Sequence, residues 1–190
     1  MAKTVSSITI SLDGFVAGQN ISEDLPMGEN GLLLHRWIFD DITDADKKIL
    51  SDLVESSGAV VLGSTTYNTA INGAWEGQSP FSVPSFVLVN RDPIVEKPGF
   101  TFVRDGLRSA LSHAQRVAKE KNVWIMGGAN VIQQFIHENL LDELHIHIAP
   151  ILLGKGTSLF LQSIPTNIEL ERFNTIETKG ATHLFYRIKK

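Results

Sequence analysis

The sequence predicts an α/β domain: a mainly parallel sheet covered by helices on both faces, closed by an antiparallel pair at its C-terminal edge. Two continuously apolar runs, AVVLG (59–63) and VWIM (123–126), have the pattern of strands buried on both sides. Strand-like and helical stretches alternate from residue 57 to residue 149, the signature of parallel β–α units. The last segment then turns to two alternating strand patterns, about 168–177 and 182–189, joined near Lys179-Gly180.

Each element follows from local chemistry. VSSITISL (5–12) is rich in β-branched residues and reads as a first strand, ended by the turn dipeptide Asp13-Gly14. Phe15 to Gly31 reads as a long loop, with glycine at 18, 28 and 31 and proline at 26, and loops of that length tend to be functional. Leu32 to Phe39 is a short apolar helix. Thr43 or Asp44 can N-cap a second helix, which Gly58 is expected to close.

TTYNTAI starts another helix after the AVVLG strand, followed by the strands SFVLVN (85–90) and 100–103. Leu107, Ala110, Leu111, Ala114, Val117 and Ala118 form a 3.6-residue stripe. Asn130 to Leu140 repeats that pattern after the VWIM strand, and ELHIHIAP and LLGKGTSLF come next. No repeat, linker or charge block interrupts residues 1–190, which are read as one domain.

Composition narrows the function classes. Seventeen Lys and Arg against 21 Asp and Glu leave a net charge of −4, without the basic excess that phosphate-backbone binding needs, so nucleic acid is not an expected partner. Cysteine is absent, which removes thiolate metal sites and a thiol nucleophile. The N-terminal stretch lacks a signal-peptide apolar core, and no apolar run reaches about 18 residues, so a cytoplasmic protein with no membrane association is expected.

Two segments carry the chemistry. VVLGSTTY (60–67) and VWIMGGANV (123–131) are each an apolar strand that ends in glycine and enters a helix. Glycine there lets backbone N–H groups approach a ligand closely, and the helix N-terminus favours an anion. On neighbouring strands the pair could cradle a dinucleotide; either segment alone is equally readable as an ordinary strand-to-helix turn. The G-x-G-x-x-G fingerprint is missing after the first strand, and Gly154-Lys155-Gly156-Thr157 lacks the spacing of a P-loop. His145 and His147 share one strand face, but no further ligand completes a metal set and no metal is expected.

Four segments in order, SLDGFVAG (11–18), VVLGSTTY (60–67), VWIMGGANVIQQF (123–135) and LLDELHIHIAPILLGKGTSLF (140–160), resemble the dihydrofolate reductase superfamily. The resemblance is closer to the reductase domain of the bifunctional deaminase-reductase of riboflavin biosynthesis, and it spans nearly the whole chain. It implies a dihydrofolate-reductase-like three-layer fold with a sheet of about eight strands, a homodimer, and an NADPH-dependent reductase. The substrate it implies is pyrimidine-like, of the 5-amino-6-(5-phosphoribosylamino)uracil type, taking hydride at a C=N carbon.

The same resemblance assigns residues. Gly63, Ser64, Thr65 and Thr66 correspond to the turn that holds the cofactor pyrophosphate. Gly127 and Gly128 correspond to a Gly-Gly pair typically joined by a cis peptide, with Ala129, Asn130 and Val131 opening the helix behind it. Val16, Ala17 and Gly18 resemble the loop over the nicotinamide. Ser64 stands where many relatives have Arg; Arg91, with Asn90 assisting, is the expected replacement at the NADPH 2′-phosphate, or else an exposed loop cation.

Leu34 occupies the position of the carboxylate that serves the pterin in dihydrofolate reductase proper, three residues before Trp37. That departure disfavours folate reduction. Asp13 is the carboxylate nearest the expected nicotinamide mouth, as a catalytic group or as a plain Asp-Gly turn. Trp37 and Phe39 are candidates for the substrate pocket or for the core. The alternatives are a dihydrofolate or pteridine reductase and a non-catalytic nucleotide-binding regulatory module.

Overall fold

A computed structural model describes residues 2–40, 42–89, 95–160 and 167–190. Eight strands form one sheet, in the order β5 (Phe100–Val103), β4 (Ser85–Leu88), β3 (Ser57–Gly63), β6 (Asn122–Gly127), β1 (Thr4–Ser11), β7 (Glu143–Ala149), β10 (Thr182–Ile188) and β9 (Leu170–Glu177). All neighbours from β5 to β7 are parallel, whereas β10 runs antiparallel to both β7 and β9. The α/β class and the antiparallel C-terminal edge are as the sequence predicts.

Alternation along β3 separates two cores. Ala59 and Val61 join the larger cluster, with Ala110, Leu111 and Ala114 of α4 (Leu107–Ala118) and Val131, Ile132 and Phe135 of α5 (Ala129–His137). Val60 and Leu62 point the other way, against Tyr67 of α3 (Ser64–Ala70) and Ile71. Val60 and Val5 both pair with Trp124, a member of this second cluster, so Val5, Ser7 and Thr9 face the same side as α3. Trp37 of α1 (Arg36–Phe39) donates its indole N–H to Thr9 Oγ1 at 3.2 Å, which places α1 on that side too.

Three local expectations are corrected. Residues 32–39 are not one helix: Gly31–His35 forms a 3₁₀ turn ahead of α1. Gly58 does not close a helix; α2 (Asp44–Ser56) ends first, and Gly58 lies inside β3, where a Cβ would fall 2.7 Å from Ala118 Cα. Close approach of α4 to the sheet requires glycine there. The 15–31 stretch is not all loop, since β2 (Phe15–Ala17) pairs with β8 (Thr157–Ser158) in a separate ribbon. LLGKGTSLF contributes the two residues of β8, which pair with β2 and not with the main sheet.

The start of α2 is a capping box. Thr43 Oγ1 accepts the Asp46 N–H at 3.2 Å while Asp46 Oδ2 accepts the Thr43 N–H at 2.8 Å. Thr43 is the cap, Asp44 the first helical residue, and Asp46 is drawn into the interior.

Candidate functional site

β3 and β6 are adjacent parallel strands, yet their helices leave to opposite faces: α3 toward the Val60–Leu62 side, α5 toward the Ala59–Val61 side. A crevice at the carboxyl ends of the strands is the geometric consequence, and in open α/β sheets that switch point is where ligands bind. The two glycine turns line it. A Cβ on Gly63 would lie 2.9 Å from Val131 Cγ2, and one on Gly128 would lie 3.4 Å from Thr66 Oγ1. Each turn thus abuts the first helical turn of the other unit.

Gly127 has φ +117°, a conformation that side chains rarely adopt, and the Gly127–Gly128 peptide is cis. Gly128 caps α5: its carbonyl accepts the Val131 N–H at 3.0 Å, while the N–H groups of Ala129 and Asn130 have no acceptor within the helix. Gly63, Ser64, Thr65 and Thr66 on one wall and Gly127, Gly128, Ala129, Asn130 and Val131 on the other are therefore brought together. Asn90 and Arg91 lie outside the described residues.

The crevice continues between β1 and β6. Their ladder stops at Ser6–Ile125, although β1 continues to Ser11 in register with β7. Ser7, Ile8, Trp124 and Met126 lie mid-sheet and yet are only partly buried. Trp124 Nε1 is buried without a hydrogen-bond partner.

Val16, Ala17 and Gly18 stand at the end of β1 in tight backbone layers. A Cβ on Gly18 would fall 1.9 Å from Glu29 O, and one on Gly156 would fall 2.0 Å from Ala17 O. Glycine at both positions lets three segments stack, and Gly18, Asn20, Gly156 and Thr157 border a shallow depression there.

Other expected site residues are placed differently. Asp13 Oδ1 and Oδ2 accept the N–H groups of Leu153 at 3.1 Å and Gly154 at 2.7 Å. A hydrogen bond from Ser11, together with these amides, holds its carboxyl below the usual range, so it ties the β1 turn to the loop after β7 and is poorly suited to donate a proton. Trp37 lines no open pocket: it is 1% exposed, with its ring 5.0 Å from both His147 and His183. Phe39 is 73% exposed at the end of α1. His145 and His147 diverge, His145 against Phe185 and Glu143, His147 toward His183.

Sequence reasoning missed the polar residues on the inner face of β1 and their partners. Ser7, Thr9 and Ser11 alternate along a central strand where apolar residues would be expected, and that signal was available. Among the described residues no cluster of His, Asp and Glu could hold a metal ion, and no helix is long and apolar enough to cross a membrane.

This arrangement defines a doubly wound α/β protein with a crevice at its switch point. The chain belongs to the RibD C-terminal domain family, whose profile matches residues 2–182. It is 28% identical over 186 residues to the uncharacterized protein YwjB of Bacillus subtilis, covering 97% of each chain. YyaP of the same organism, also uncharacterized, is 24% identical, with 91% of this chain and 87% of YyaP covered.

A Shewanella sp. PV-4 protein that carries a riboflavin-biosynthesis name superposes over the whole of both chains, with TM-score 0.76 and 25% identity. Dihydrofolate reductase from Enterococcus faecalis, complexed with NADP(H), has TM-score 0.67 and 15% identity, with 99% of this chain and 97% of that one covered. The diaminohydroxyphosphoribosylaminopyrimidine deaminase/5-amino-6-(5-phosphoribosylamino)uracil reductase of Thermotoga maritima has TM-score 0.65 and 14% identity over 99% of this chain and 57% of its own. The fold is dihydrofolate-reductase-like.

Proposed function

We propose that the protein is an NADPH-dependent reductase that delivers hydride to the C=N carbon of a pyrimidine-like or ribosylaminopyrimidine substrate. The observation that carries this reading is the pair of glycine turns, Gly63 and Gly128, facing each other across the ends of β3 and β6. A Cβ on Gly63 would press on Val131, and one on Gly128 would fill the space beside Thr66, so bare backbone at both turns leaves room for something that approaches closely. A dinucleotide diphosphate fits such a cradle.

NADPH, when bound, supplies the hydride; the protein supplies position and electrostatics. Ser64, Thr65 and Thr66 offer hydroxyl and N–H donors on one wall, and the first turn of α5 offers N–H donors on the other. Arg91, with Asn90, takes the 2′-phosphate. Val16, Ala17 and Gly18 flank the reacting ring at the end of β1. The absence of a carboxylate at Leu34 favours a uracil-type substrate over a pterin, as does membership of the RibD C-terminal domain family. The assembly in this reading is a homodimer.

Fluorescence titration with NADPH and, separately, NADH tests the proposal. Saturable binding with NADPH favoured is expected, followed by loss of absorbance at the dihydronicotinamide band when 5-amino-6-(5-phosphoribosylamino)uracil is added. Binding of neither dinucleotide would overturn it. Binding without turnover of any pyrimidine or pterin acceptor would favour the non-catalytic module.

A further inference from the structure

Asp46, His183, His147 and Ser7 form one continuous hydrogen-bonded chain from α2 across β10 and β7 to β1. The links are Asp46 Oδ1 to His183 Nε2 at 3.0 Å, His183 Nδ1 to His147 Nδ1 at 2.8 Å, and His147 Nε2 to Ser7 Oγ at 2.8 Å. Asp46 and His183 are fully buried, His147 is 2% exposed, and Ser7 alone is partly open. Nothing in the packing of the fold demands four linked polar groups in a core.

The direction of the bonds follows from the Asp46 end. Asp46 Oδ2 accepts the Thr43 N–H at 2.8 Å and the Thr43 hydroxyl at 2.7 Å, which favours the ionised carboxylate, an acceptor only. His183 therefore donates through Nε2, and its neutral ring accepts at Nδ1. His147 must then donate through Nδ1 and accept at Nε2, so Ser7 donates its hydroxyl inward.

One added proton on His183, held beside Asp46, reverses every downstream link. His183 Nδ1–H then donates to His147 Nδ1, His147 Nε2–H donates to Ser7 Oγ, and the Ser7 hydroxyl proton points outward. Ser7 lies one residue past the last β1–β6 pair, Ser6–Ile125, at the strand level of Met126. Ser7 is the first β1 residue beyond that ladder and is partly open, on the sheet face that carries α1 and α3.

We propose that Ser7 is the proton donor to the substrate nitrogen, with His147, His183 and Asp46 as positioning residues that form the wire behind it. The inference rests on the reductase reading. In that reaction the C=N bond gains hydride at carbon from the dihydronicotinamide-type reductant and a proton at nitrogen. The Ser7 O–H breaks as the N–H forms, His147 Nε2–H passes to Ser7 Oγ, and His183 Nδ1–H passes to His147 Nδ1. The chain ends one proton poorer, in its neutral form, and takes a proton back from water at Ser7 after product leaves.

The charged and titratable groups around the wire are Asp46 from α2, His145 from β7 and His35 from the 3₁₀ turn, with neutral Trp37, Thr43 and Thr178 completing its walls. Burial lowers the pKa of both His147 and His183, while Asp46 opposes the shift at each. Turnover is therefore fastest at low pH and declines as pH rises.

The test combines ¹⁵N spectra of the histidine side chains with kinetics of Ser7→Ala and Ser7→Thr, using NADPH and 5-amino-6-(5-phosphoribosylamino)uracil. At pH 7 the spectra should show His147 as the Nδ1–H tautomer and His183 as the Nε2–H tautomer. Other tautomers overturn the wire, whether or not any acceptor turns over. Ser7→Ala should keep NADPH affinity within about twofold and lower kcat roughly 100-fold, the usual range for loss of a general acid, with the pH dependence flattened. Ser7→Thr should restore most of kcat. Unchanged kcat in Ser7→Ala, with wild-type NADPH binding and turnover intact, would overturn the proton-donor role alone; absence of NADPH binding to the wild type would instead remove the reductase reading beneath it.

Discussion

His147 on β7 and His183 on β10 are paired across the antiparallel ladder, and their imidazoles share a 2.8 Å Nδ1···Nδ1 hydrogen bond in the core. One of the two nitrogens must carry a proton and the other must not, so the pair is stable only with at most one shared charge. A second proton would put two imidazolium rings in contact, away from water.

That pairing sets an acid sensitivity. His147 is pushed down to about 3 by burial and by the neighbouring His183, from an ordinary value of 6.5. The unfolded chain therefore binds more protons between these values, and stability is complete above pH 6.5 and falls as pH drops toward 3. The shift corresponds to at most roughly 5 kcal/mol over that window. Urea melts at pH 7 and pH 4 should show the loss, and His147→Gln should remove much of the difference between them.

Gly58 is predicted to be intolerant for a steric reason. Its Cβ would sit 2.7 Å from Ala118 Cα and 2.8 Å from Ala118 O, both backbone atoms that cannot rotate away. Gly58→Ala should lower stability by about 1–3 kcal/mol, the range for overpacking. Thermal denaturation reads this directly, and an unchanged midpoint would contradict the close packing of α4 on β3.

Gly128→Val should separate binding from folding. Its side chain would enter the space beside Thr66, where even a Cβ comes to 3.4 Å of Oγ1, at the rim of the crevice and not in the core. NADPH affinity is expected to fall more than tenfold, by loss of at least about 1.4 kcal/mol, while the melting curve stays cooperative. Unaltered affinity would remove the β6–α5 turn from the site.

Arg91→Ala is expected to weaken NADPH far more than NADH, because a guanidinium offers paired donors to the 2′-phosphate that NADH lacks. Equal effects on the two dinucleotides would remove Arg91 from 2′-phosphate recognition. Isothermal titration with each dinucleotide distinguishes these outcomes.

Gly156→Ala tests the ribbon beside the crevice. A Cβ there meets Ala17 O at 2.0 Å, so β2 and β8 must part. Reduced NADPH affinity with the eight-stranded sheet intact is the expected result, checked by titration together with circular dichroism.

The sequence alone determined what depends on short-range pattern. Runs such as AVVLG and VWIM demand burial on both faces, the stripe from Leu107 to Ala118 demands one buried side, and glycine after each apolar strand marks the two turns. Alternating units then leave few topologies open, which is why the parallel sheet and its antiparallel edge were legible. The family motifs were legible for the same reason, being contiguous segments.

Tertiary structure decided what depends on residues far apart in the chain. Asp46 and His183 are separated by 137 positions and His147 and Ser7 by 140, and no local periodicity links them. Trp37 looks like a pocket residue from its helix and becomes a core residue only because β7 and β10 bring two imidazoles against it. Asp13 looks like a candidate acid until the loop after β7 folds back to meet it. Burial and partner choice set the chemistry of such groups, and both exist only once the sheet has assembled.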